Sequence, residues 1–80
     1  MFPLDKLALG QRAIIKSIET DMLPLKLIEM GCFPGNEISL LYLAPFQDPM
    51  YLKIDESHLA IRKEVAQYIM VKPLIDGKKY

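Results

Sequence analysis

Phe33-Pro34-Gly35-Asn36-Glu37-Ile38-Ser39-Leu40-Leu41-Tyr42-Leu43-Ala44 joins a turn to a strand. Proline presets φ at the second turn position, and glycine takes the positive φ needed at the third, so 33–36 reads as a type II turn. Glu37 to Ala44 then runs as a strand. At period two, Ile38, Leu40 and Tyr42 line one face, while Leu41 and Leu43 share the other with Glu37 and Ser39. Half of this strand is apolar on both faces. Something outside the main core must cover it, either a short helix or a partner.

Upstream, Thr20-Asp21 offers N-cap residues for a helix over Met22 to Met30. Leu23, Leu27 and Met30 fall at i, i+4 and i+7 and should face the core. Pro24 is tolerated in a first turn, and Gly31 supplies the stop. Met22, Leu25, Lys26 and Glu29 are left on the outer arc. Two and a half turns cannot stand alone, so the helix must pack on a sheet. Arg12 to Glu19 carries three isoleucines in eight residues, with Ala13 and Ile15 on one face, and reads as a strand. Leu4 and Leu7 suit one helical turn or a bent entry strand that ends at Gly10.

Downstream, Ala44-Pro45-Phe46-Gln47-Asp48-Pro49 reads as a connecting loop. Met50 to Asp55 alternates cleanly, with Met50, Leu52 and Ile54 inward. Glu56-Ser57 reads as a tight turn. His58 to Arg62 returns with Leu59 and Ile61 inward and His58 outward. Lys63 to Ala66 suits one helical turn. Tyr68 to Val71 is a last strand, with Ile69 and Val71 inward, closed by Pro73. The expectation is a mainly β chain: a small SH3-like barrel of about five strands with one short α-helix after the first strand. Barrel closure removes exposed strand edges at this length. The domain is expected to span 1–75, with 76–80 as a flexible tail.

Eighty residues allow one small domain. Hydrophobic residues make up 51% and charged residues 25%, a globular balance that argues against disorder. Ten Lys and Arg offset ten Asp and Glu. A general nucleic-acid binder needs excess positive charge to displace counterions from phosphates, so that class is disfavoured. A single cysteine excludes an intramolecular disulfide and a Cys-rich zinc site. The longest apolar run, Leu40 to Phe46, is far shorter than the ~20 residues of a membrane span. With no signal-peptide pattern at Met1 to Lys6, the expected location is cytoplasmic.

Catalytic chemistry is absent from the inventory. There is no nucleophile elbow and no glycine-rich phosphate loop, so no enzyme activity and no cofactor are expected. Asp55, Glu56 and His58 sit around one turn and could begin a divalent-metal site, but three residues there lack a supporting shell. The plain alternative is a solvated polar turn, and no metal ligands are assigned. Cys32 follows a helix C-terminus, where the dipole disfavours a thiolate, and reads as a small apolar packing residue.

One family pattern runs through these residues. Leu4, Leu7, Gly10, Ala13, Ile15 and Ile18 lead into Lys26-Leu27-x-Glu29-Met30-Gly31-x-x-Pro34-Gly35. Ala44-Pro45-x-x-Asp48-Pro49 follows, then Met50-x-Leu52-x-Ile54, Leu59-Ala60-Ile61-Arg62, Glu64-x-Ala66 and Ile69-x-Val71. From Leu4 to Val71 the chain resembles the ferrous iron transport protein A (FeoA) family. It departs from that pattern where Gln47 precedes Asp48 in place of glycine. It departs again in Glu56-Ser57-His58, where a glycine is usual, and at Cys32, where an aliphatic residue is.

The resemblance implies a cytosolic, non-enzymatic SH3-like barrel that assists ferrous iron uptake. Its implied partner is the ferrous iron permease, a FeoB-like membrane transporter with a cytosolic GTP-binding domain. Two surfaces are expected to dock: Leu25, Lys26 and Glu29 on the helix, and Pro45, Phe46, Asp48 and Pro49 in the loop. Phe46 is either an exposed contact or a lid over the barrel end. The alternative function is a peptide-binding or self-associating module, with Leu41 and Leu43 as a homodimer seam. Against the peptide reading, Tyr42, Phe46, Tyr51 and Tyr68 form no cluster in the sequence and there is no Trp.

Overall fold

The computed structural model describes residues 1–74. Six strands form one antiparallel sheet: β1 (Phe2–Pro3), β2 (Arg12–Ile18), β3 (Glu37–Leu43), β4 (Met50–Ile54), β5 (Ser57–Ile61) and β6 (Ile69–Pro73). Their order across the sheet is β1-β6-β2-β3-β4-β5. Two short helices, α1 (Leu25–Glu29) and α2 (Lys63–Ala66), complete the SH3-like barrel. Helix α2 packs on a 3-10 turn, Leu4–Lys6, that follows β1. The expected tail, 76–80, lies outside the described residues.

One core fills the inside. Ala13, Ile15, Ile38, Met50, Leu52, Ile54, Ile69 and Val71 are all fully buried, as the period-two alternation requires. The 33–36 turn forms as expected: Asn36 N–H donates to Phe33 C=O at 3.4 Å, and Gly35 has φ +103°. Strand β1 was not expected from the sequence. Two residues, one a proline, carry no alternation, and their pairing of Phe2 with Val71 is settled only in three dimensions.

Three local expectations are corrected. The first concerns the helix, expected over Met22 to Met30. The structure has a 3-10 turn at Thr20–Met22, an extended Leu23 (φ −104°, ψ 134°) and then a five-residue α1. Proline Cδ crowds the residue before it and drives that residue out of the α region. A helix running through Pro24 would need Leu23 helical, so the helix restarts with Pro24 as its N-cap. Ile28, rather than Met30, then packs on the core with Leu23 and Leu27.

The second concerns β3. The pairing with β4 shifts between Leu40 and Tyr42, so Leu41 is an extra residue in a β-bulge. A bulge inverts the alternation beyond it. Tyr42 therefore points outward and is 55% exposed, while Leu43 turns in against the core. Leu41 and Leu43 therefore do not share an outer face as the expected two-leucine seam requires.

The third is the hairpin turn, which uses Asp55 and Glu56, with Ser57 already paired to Ile54. Asp55 takes φ +54°, a left-handed conformation that aspartate tolerates better than most residues. This serves the turn without the glycine usual in the family.

Candidate docking site

Strand β3 leaves the barrel at Leu43 and returns at Met50 through a loop that is tied at both ends. Ala44 N–H donates to Pro49 C=O at 3.1 Å, and Gln47 N–H donates to Ala44 C=O at 2.9 Å. The side-chain oxygen Oδ1 of Asp48 accepts the backbone N–H of Lys63 at 3.0 Å. Lys63 is the first residue of α2, so Asp48 satisfies an N-terminal donor that α2 lacks a local side chain to cap. The Asp48–Pro49 peptide is cis.

At the tip, Phe46 and Gln47 both adopt positive φ, +67° and +71°. A bulky residue there is a genuine outlier, with a cost of order 1–2 kcal/mol. Gln47 occupies the position where the family pattern has glycine, which explains that glycine. The Phe46 ring is 98% exposed. Of the two expectations for it, the lid over the barrel end is excluded by this exposure. Pro45 is also exposed, whereas Asp48 and Pro49 are half-buried and brace the loop from beneath.

The helix residues expected to dock are all on the surface: Leu25 is 66% exposed, and Lys26 and Glu29 lie beside it. Helix α2 stands between the two patches. It holds the loop through Lys63, and a groove of about 240 Å³ separates Pro24, Lys26 and Leu27 from Arg62, Glu64 and Val65.

Sequence reading missed an aromatic pair. Tyr42 and Tyr51 are register partners on the outer face, stacked with ring centroids 4.5 Å apart and planes at 12°. The Leu41 bulge is what turns Tyr42 toward Tyr51, and nothing in the sequence marks that bulge. With Leu41, His58 and Ala60 the pair lines a second groove of about 250 Å³.

The polar turn places Asp55 and Glu56 at its tip, with His58 beside Lys53 on the outer face. Among the described residues no group of three or more His, Cys, Asp or Glu side chains could hold a metal ion. Cys32 is fully buried, and burial pushes its thiol up to about 11, which makes it an unreactive packing residue. Among the described residues no helix is long and apolar enough to cross a membrane.

The model of the FeoA domain matches residues 2–73. Over 70 residues the chain is 31% identical to the "Fe(2+) transport protein A/Fe(2+) transporter FeoB fusion protein" of Porphyromonas gingivalis, covering 86% of this chain. The chain spans 8% of that fusion protein's length. The solution structure of iron(II) transport protein A from Clostridium thermocellum superposes with a TM-score of 0.81 at 34% identity, over 91% of this chain and 46% of that one. Stenotrophomonas maltophilia FeoA, solved in complex with zinc and described as an SH3 domain protein, is similar in fold (TM-score 0.77, 22% identity), over 90% and 91% of the two chains. With a family model that covers the barrel from β1 to β6 and a solved relative above 30% identity, this chain belongs to the FeoA family.

Proposed function

We propose that this protein is a non-enzymatic accessory of ferrous iron uptake that docks, on the cytosolic side, on a FeoB-like permease and biases its transport or nucleotide cycle. The observation that carries this reading is Phe46, an almost fully exposed aromatic ring held in a strained backbone conformation by a loop tied to α2. Strain of this kind persists only where the surroundings over-determine it, and it concentrates at functional sites. Folding gains nothing from exposing the ring, whereas a partner with an apolar pocket does. Fusion of a FeoA part to a FeoB transporter in the Porphyromonas gingivalis relative supports FeoB as the partner.

On this reading Phe46 and Pro45 form one contact and Leu25, Lys26 and Glu29 a second, while Asp48 and Pro49 position the loop. A bias on the partner requires different affinity for two of its states. The test is an NMR titration of labelled protein with the transporter's GTP-binding domain, with and without a non-hydrolysable GTP analogue. Shifts confined to the Phe46 loop and α1, and altered by the nucleotide, are expected. Shifts elsewhere, or none with either the domain or the intact transporter, would overturn the reading.

A further inference from the structure

The edge of β5 combines three features. Among the described residues strand β5 ends the sheet and pairs with β4 alone. Among the described residues no backbone hydrogen bond reaches its other edge from outside the sheet. An unpaired edge of this kind is a template for an added strand.

A groove lies on each side of that edge, and Ala60 lines both. On the outer face the stacked Tyr42 and Tyr51 rings, Leu41 and His58 enclose about 250 Å³. On the α1 side Leu27, Ile61 and Val65 form the apolar floor of about 240 Å³, with Lys26 and Arg62 on the rim. Successive side chains of an added strand point to opposite faces, so such a strand needs a pocket on each side. In the two grooves the charged side chains are Lys26, Arg62 and Glu64, with His58 on the outer face, while Asp55 and Glu56 lie in the turn that leads into β5.

We infer that the β5 edge binds an extended, acidic-aliphatic peptide segment by strand addition, with alternate side chains entering the tyrosine groove and the α1 groove. The register fixes the pattern. On the outer face Ala60 lies opposite Tyr51 and His58 opposite Lys53. The added strand therefore places an aliphatic side chain beside Ala60 and a carboxylate two positions away beside His58, with Lys53 one strand further in on the same face. The β5 edge shares Lys26 with the proposed helix contact but includes neither Phe46 nor Pro45, so it can stand or fail without the Phe46 contact.

The probe is a capped octapeptide with valine and glutamate two positions apart in a threonine background, titrated into the labelled full chain. Amide shifts over Ser57–Ile61, with smaller ones at Lys26 and Leu27, are expected, together with slowed hydrogen exchange along β5. The same peptide with lysine for glutamate should bind about tenfold more weakly. Ala60→Arg, at an exposed position, should abolish binding while the rest of the spectrum stays intact, and Phe46→Asp should leave it unchanged. No β5 shifts at millimolar peptide, equal binding of the two peptides, or binding unaffected by Ala60→Arg would overturn the inference. Shifts of the same amides on dilution of the protein alone would assign the edge to a second copy and overturn it as well.

Discussion

The carboxylate of Asp48 accepts the Lys63 backbone N–H at 3.0 Å, across fifteen residues of chain. One side chain thereby caps α2 and ties down the loop that carries Phe46. Replacing a capping carboxylate by alanine costs about 1 kcal/mol. Asp48→Ala should lose about that much in urea unfolding, while Asp48→Asn, which keeps an acceptor, should lose less. Equal losses would show that the hydrogen bond is not what Asp48 supplies.

Gln47 sits at φ +71°, where only glycine is free of strain. Gln47→Gly relieves that strain and adds unfolded-chain entropy, two effects of opposite sign. The net expectation is a gain of roughly 0.5 kcal/mol, a Tm rise of about 2–4 °C. A fall in Tm would mean that the Gln47 side chain contributes more than its backbone costs.

Cys32 carries a pH signature. Its folded-state value is raised from 9.0 to about 11 by burial, so the folded protein holds a proton that the unfolded chain releases. The stability this represents is present below pH 9 and is lost as pH rises toward 11. Denaturant unfolding of wild type and Cys32→Ala, compared across that window, should show the wild-type curve falling more steeply. Parallel curves would contradict the burial account. Thiol labelling of the native protein at pH 8 should be slow and accelerate only with unfolding.

The stacked pair Tyr42 and Tyr51 should couple energetically. A double-mutant cycle to alanine is expected to return about 0.5–1 kcal/mol, toward the low end for aromatic pairs because Tyr42 is half exposed. Additive losses would mean that the two rings contribute separately.

The sequence made legible whatever a regular period controls. Met50, Leu52 and Ile54 alternate, and all three are buried; Pro34-Gly35 demands a turn and makes one. The Phe46 loop was legible as a candidate contact because a large aromatic stands among prolines where no core alternation reaches. Features set by closure of the barrel stayed hidden. The Leu41 bulge answers to the curvature of β3 over β4, carries no glycine to mark it, and reverses the fates of Tyr42 and Leu43. Without it the tyrosine pair and its groove cannot be found. The helix start is set by a different effect. Pro24 by its own φ suits a first helical turn, but it forces Leu23 out of the α region, and that decides where the helix begins.

On the proposed function, the exposed ring of Phe46 is a contact for the iron permease. The most direct measurement is the affinity of wild-type and Phe46→Asp protein for the intact transporter in a lipid nanodisc. Thermal unfolding of the two proteins, run in parallel, checks that both are folded. Binding should weaken at least about tenfold for the variant, as expected for a central contact residue, with Tm unchanged or higher. Equal affinities from two equally folded proteins would contradict the account.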